Sequence, residues 1–144
     1  GGTKNGARAA EVVVVFDPSL AEGIERRRKR FGHLLCKQRF AAAQMRALLG
    51  DGLWLTLAGR ANQQARALAA AFGPAVLHPV EANAVFVQLA EPQLAALEQA
   101  GVLFYRWGAP GSGQARFVVR WDQPDSDGEA LAALLMAQLA LRTM

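Results

Sequence analysis

Residues 84–121 read AVFVQLAEPQLAALEQAGVLFYRWGAPGSGQARFVVRW, and this stretch decides the fold. Before it, apolar positions recur at helical spacing; from Ala84 the period changes. Ala84 to Leu89 reads as a strand. Pro92 to Ala100 reads as a short helix that stops at Gly101, and Val102 to Trp107 as a second strand. Gly108 to Gly113 is a flexible, glycine-rich connection. Ala115 to Trp121 is the third strand, which Arg116 opens. A connection this short favours antiparallel pairing of the last two strands. A polar turn follows, Asp122 to Asp127. The final helix is predicted from Gly128 to Arg142, with Leu131, Leu134, Leu135 and Leu139 as its apolar stripe. Strand, helix, strand, strand, helix, with the helices over one face of the sheet, makes a small α+β domain.

Upstream the chain reads as helices. Leu53 to Ala71 is a long amphipathic helix: Trp54, Leu57, Ala61, Ala65, Leu68 and Phe72 share one face, and Gly73-Pro74 ends it. Leu34 to Leu49 is predicted as another, stopped by Gly50-Asp51-Gly52. Pro18 to Gly32 is the first, with Asp17 as cap and Pro18 at the first helical position. Glu11 to Phe16 carries four successive valines and a phenylalanine, which predicts a strand buried on both faces. A glycine-rich loop, Gly1 to Gly6, leads into it. A loop that opens at residue 1 and feeds a buried strand points to further sequence upstream.

Composition excludes several classes. The chain has 144 residues, 52% hydrophobic and 19% charged, enough for one real core and too apolar for disorder. The most apolar stretch, Leu131 to Leu141, falls short of the roughly 20 residues a membrane helix needs. Cys36 stands alone, so no intramolecular disulfide forms; with only His33 and His78 beside it, no metal cluster is expected. The lack of disulfides fits the cytoplasm. The net charge is +4, from 16 basic and 12 acidic residues, and the basicity is local to Arg26-Arg27-Arg28-Lys29-Arg30.

Lys4 is the position with the clearest chemical meaning. Set in Gly1-Gly2-Thr3-Lys4-Asn5-Gly6, its amine sits where the backbone can approach a planar group closely. An amine so placed can form a Schiff base with a carbonyl. By pattern alone, a solvated loop lysine is the commoner outcome.

The wider pattern is more specific. GGTKNG at residues 1–6, EVVVVF at 11–16, RRKRFGHLLCKQRF at 27–40, DGLWL at 51–55, HPVEANAVFV at 78–87, FYRW at 104–107 and RFVVRWD at 116–122 together resemble the C-terminal part of low-specificity L-threonine aldolases. These belong to the pyridoxal-phosphate-dependent threonine aldolase and β-eliminating lyase group, with the aspartate-aminotransferase-like fold. The resemblance covers essentially the whole chain but only about two-fifths of a family enzyme.

The resemblance implies that Lys4 is the catalytic lysine holding pyridoxal 5'-phosphate through a Schiff base. It implies that the reaction splits L-threonine and related β-hydroxy-α-amino acids into glycine and an aldehyde. Arg116 takes the place of the arginine that grips the substrate carboxylate, a task suited to a planar two-pronged donor; the plain alternative is an exposed arginine on an edge strand. Thr3 and Lys29 are implied near the cofactor, although without the resemblance Lys29 in its basic run reads as a solvated or acid-paired helix face. Lys37 and Arg39 could act similarly. Arg120, on the same strand face as Arg116, reads as structural, as do His33 and His78.

The family's ring-stacking histidine and its aspartate for the pyridine nitrogen lie upstream. The chain alone is therefore expected to have little or no aldolase activity. On this reading residues 1–17 are a remnant of the large cofactor-binding domain, 18–72 linking helices, and 73–144 the small α+β domain. Homodimers or homotetramers with a small-molecule amino-acid substrate are implied, with no nucleic acid and no membrane.

Two other readings stand beside it. Another pyridoxal-phosphate lyase of the same fold would share the lysine and differ in the bond broken, by β-elimination. A non-enzymatic basic module would bind nucleic acid through Arg26 to Arg30, but that run has no interleaved aromatic except Phe31 and no known nucleic-acid motif.

Overall fold

The computed structural model describes residues 1–140, with side chains through residue 137; the expected helix end at Arg142 and the Leu139 side chain lie outside them. The backbone divides into two compact units, Gly1–Leu55 and Thr56 onward.

In the first unit, the Asp17 Oδ1 accepts a hydrogen bond from the Ser19 N–H at 2.9 Å, and Pro18 pre-sets the turn. The Ser19 hydroxyl first, and then this backbone bond, hold the Asp17 carboxyl below its ordinary range. A 3-10 turn, Pro18–Leu20, runs into α1 (Ala21–Arg30). The helix closes with Gly32 at φ +73°. The Gly32 N–H bonds the Lys29 carbonyl at 3.1 Å, and the His33 N–H the Arg28 carbonyl at 3.0 Å. This double closure satisfies two terminal carbonyls and ends α1 where the glycine predicts. The next helix, α2 (Gln38–Leu49), starts four residues later than Leu34, because residues 34–37 use their backbone groups in tighter turns, such as Gln38 N–H to Leu35 O at 3.1 Å. At the Gly50-Asp51-Gly52 break, Asp51 adopts φ 51°.

The expected strand at Glu11 to Phe16 is corrected. Those residues form no strand, and Val13 is 69% and Phe16 93% exposed. Alternating backbone donors and acceptors need a neighbouring strand, and the first unit has none among its described residues. β-branched side chains favour an extended chain, yet without a ladder partner that preference builds no sheet.

The long helix α3 (Leu53–Phe72) begins at the end of the first unit and supplies the second with Ala61, Ala65, Leu68 and Phe72, all buried. The predicted stripe holds over these later turns, whereas Trp54 remains exposed. Next come β1 (Ala84–Gln88), α4 (Glu91–Gln99), β2 (Tyr105–Trp107), β3 (Gln114–Val118) and α5 (Asp125–Ala140). The three strands pair antiparallel in the order β1-β3-β2, so the strand carrying Arg116 is central, not an edge.

Period-two alternation divides the sheet. Val85, Val87, Ala115 and Phe117 face the helices and join Leu94 and Leu97 of α4 and Leu135 of α5 in one core. Phe117 stacks against Phe104 at 5.0 Å and meets Phe72 at 4.8 Å. The α+β reading with helices on one face is what the second unit forms.

Two polar clamps hold the helices to the sheet and to each other. Arg106 of β2 donates through Nε and Nη2 to the two carboxylate oxygens of Glu98 at 2.9 and 3.0 Å, and through Nη1 to Glu91. The start of α5, three residues earlier than Gly128, is pinned to α3. Arg60 Nη2 reaches Asp125 Oδ1 at 3.3 Å, Gln64 donates to the same oxygen, and both donate to the Gln123 carbonyl. Asp125, the first residue of α5, is thereby tied through its carboxylate to α3.

Candidate functional site

Lys4 lies in a 3-10 turn, Thr3–Asn5, between Gly2 and a left-handed Gly6 at φ 89°. The turn is tied down on both sides. Gly2 donates to the Ala10 carbonyl at 2.8 Å, and its own carbonyl accepts from the Asn5 and Ala7 N–H groups, each at 3.0 Å. Thr3 Oγ1 donates to the Arg8 carbonyl at 2.8 Å, and the Arg8 N–H donates to Gln44 Oε1 of α2 at 2.7 Å. Gly2 is buried against α2. A Cβ there would come within 2.9 Å of Ala7 Cβ and 3.1 Å of Leu48 Cδ1 and Met45 Sδ. The glycine therefore allows the loop to seat on α2, which is a more specific use than conformational freedom alone.

The Lys4 side chain is exposed, and no carboxylate among the described residues lies within ion-pair distance of it. A fixed backbone with an unpaired amine at its apex suits covalent capture of a carbonyl compound. Thr3 shares the turn, but its hydroxyl hydrogen is engaged by Arg8. Lys29, on α1 of the same unit, pairs with Glu25 at 3.4 Å in an exposed i, i+4 bridge. Lys37 and Arg39 stand exposed on and before α2, with Arg39 4.8 Å over the Phe40 ring.

Arg116 belongs to the second unit, on the sheet face away from the core. Its cross-strand neighbours on either side are aromatic: Phe86 in β1 and Tyr105 in β2. The guanidinium carbon lies 5.9 Å from the Phe86 ring, 6.0 Å from Tyr105 and 5.5 Å from Trp107. Phe86 and Trp107 meet edge-on at 5.3 Å, and His78 meets Phe86 at 5.9 Å. The Arg116 Nε is buried with no hydrogen-bond partner. Arg60, Arg106 and Arg120 of the same unit each reach a carboxylate, Arg120 through Asp122 at 3.1 Å. Arg66 has no carboxylate partner either, but it stands exposed on α3. Arg116 is thus a partly buried cation with aromatic walls and no anion.

Arg116 stands out in the sequence, but its surroundings do not. The signal was present: alternation puts Phe86, Tyr105, Trp107 and Arg116 on one face once the strand order is known. Among the described residues no group of histidines, cysteines and carboxylates could hold a metal ion, and no helix is long and apolar enough to cross a membrane.

Comparison with known proteins bears on what the two groups serve. The chain is 41% identical, over 97% of its length, to a low-specificity L-threonine aldolase of a Pseudomonas species. It is 44% identical, over 85% of its length, to the protein of the same name from Pseudomonas aeruginosa. This chain is a relative of the low-specificity L-threonine aldolases. It spans 41% and 36% of the length of those two proteins. A solved threonine aldolase of Leishmania major matches the backbone with a TM-score of 0.77 over 86% of this chain and 37% of that one, at 19% identity, which supports the threonine aldolase fold. No family model matches the sequence.

Proposed function

We propose that this chain supplies the cofactor-binding lysine and the carboxylate-binding arginine of a pyridoxal-phosphate-dependent aldolase, one that cleaves L-threonine and related β-hydroxy-α-amino acids to glycine and an aldehyde. The observation that carries the proposal is the 41% identity to a low-specificity L-threonine aldolase along nearly the whole chain.

The residues fit the cofactor. Lys4 offers an exposed amine with no carboxylate partner on a loop whose backbone is fixed against α2. Pyridoxal 5'-phosphate, when bound, supplies an electron sink for the pair released as a Cα–Cβ bond breaks. Lys4 holds it covalently through Nζ. Thr3 keeps the loop in shape through its bond to Arg8. Lys29 adds positive charge for the phosphate side, since an exposed i, i+4 pair of this kind is worth only about 0.3–0.5 kcal/mol and gives way readily.

Arg116 acts on the substrate. Two parallel N–H bonds to a carboxylate fix its plane and so the direction in which Cβ projects. The buried, unpartnered Nε gives such an anion a reason to bind: an unsatisfied buried donor costs about 1–3 kcal/mol, which a carboxylate would offset.

In this proposal residues 1–17 belong to the large cofactor domain, 18–72 link, and 73–144 form the small domain. The whole protein is a cytoplasmic homodimer or homotetramer, and the 144 residues by themselves turn over little or no substrate. The test is to assay the whole protein, with the cofactor, for glycine and aldehyde from L-threonine. Aldehyde release that disappears in Lys4→Ala supports the proposal. Ammonia and a keto acid in place of glycine would replace it with β-elimination.

A further inference from the structure

We propose that Phe86, Tyr105 and Trp107 are positioning residues for Arg116, with Trp107 the principal one, setting its guanidinium in the orientation that accepts a carboxylate. This rests on the carboxylate-binding reading of Arg116 and deepens it.

The sheet register makes the arrangement. Arg116 sits in the central strand, with Phe86 directly opposite on one side and Tyr105 on the other. Directly opposed residues share a face and lie close enough for long side chains to pack. Trp107, two residues along β2 from Tyr105, approaches diagonally and brings its ring closest to the guanidinium, at 5.5 Å. It is itself buttressed by Phe86.

Three consequences follow physically. A free arginine side chain has many rotamers, and rings on several sides remove much of that freedom before a ligand arrives. Aromatic faces attract the cation but provide no acceptor for its N–H groups, so the donors stay available. The Nε is itself buried without a partner, in surroundings where a contact to an anion is strengthened. Arg106 is the contrast: its prongs are already filled by Glu98 and Glu91, which makes it a clamp and not a receptor.

The experiment uses the 144-residue chain and the N–H resonances of its arginines. Relaxation of the Arg116 Nε–Hε group reports its order, and titration with acetate reports carboxylate binding. The variants are Trp107→Leu, Phe86→Leu and the conservative Trp107→Phe. Trp107 is 46% exposed and lies off the buried core, so the fold is expected to survive its loss; Phe86→Leu provides a second removal of a ring at another site.

The expected result is an ordered Nε–Hε that shifts on adding acetate. Each leucine variant loosens it and weakens the response about threefold, roughly the worth of one cation–π contact. Trp107→Phe restores most of both, and the Nε–Hε of Arg120 is unaffected throughout. If both leucine variants leave order and acetate response unchanged, the positioning role is overturned while the carboxylate reading stands. If wild-type Arg116 is ordered but indifferent to acetate, the carboxylate reading fails, and this inference with it.

Discussion

The two units differ in what holds them. The second encloses a continuous core in which Leu94, Leu97, Val85 and Val87 are fully buried. In the first, the buried residues are Gly2, Ala10 and Leu48, while Val13, Val14, Phe16, Phe31, Leu35 and Phe40 are exposed. Yet the proposed covalent chemistry lies in the first, on Lys4. A reactive loop therefore needs little core if its backbone is secured locally. Here the security comes from Gly2 against α2 and from the hydrogen bonds of Gly2, Thr3 and Arg8. The second unit offers the converse, a sheet backed by a closed core that carries Arg116 among aromatic rings on its other face.

The largest expected effect falls on the less buried unit. Lys4→Ala in the whole protein should abolish aldehyde release from threonine, while circular dichroism stays unchanged. Retained turnover would remove the distinction between a chemical unit and a binding unit. Stability should show the reverse. Leu94→Ala opens a fully buried site and should cost about 3 kcal/mol, whereas Val13→Ala in the 144-residue chain should change stability by less than about 0.5 kcal/mol. Denaturant melts of both variants measure the contrast, and equal losses would break it.

A smaller effect concerns the clamp on α4. Hydrogen bonds from Arg106 hold the Glu98 carboxyl below its ordinary 4.5 and raise the arginine. For an acid with a lowered folded pKa, the stabilisation is present above the unfolded value and is lost as pH falls through the folded one. The Tm gap between the wild type and Arg106→Leu should therefore be fully open at pH 7 and shrink below about pH 4.5. A gap that stays constant from neutral pH to pH 2 would show that the arginine contributes packing alone. The smallest change belongs to Lys29. Lys29→Met should alter the stability of the chain by about 0.3 kcal/mol, since its bridge to Glu25 is exposed.

The fold of the second unit was legible because its signals are local. Glycines and prolines bound its elements, and Val85, Val87, Ala115 and Phe117 alternate as sheet residues do. The antiparallel pairing of the last two strands followed from the length of their connection. The order β1-β3-β2 did not, because it depends on packing between distant segments, and with it went the aromatic setting of Arg116. Val12 to Phe16 misled for the same reason: side-chain preference favours a strand, but only a partner makes one. At Lys4, glycine spacing singled out the residue, while the contact of Gly2 with Leu48 and Met45 joins residues more than 40 apart and left no mark in the local sequence.

The central claim is that one amine, Lys4 Nζ, holds the cofactor. The whole protein, loaded with pyridoxal phosphate, can be reduced with borohydride, digested and mapped by mass spectrometry. The account predicts the pyridoxyl group on the peptide containing Lys4. A label found on Lys29, Lys37 or any other lysine in its place would contradict it.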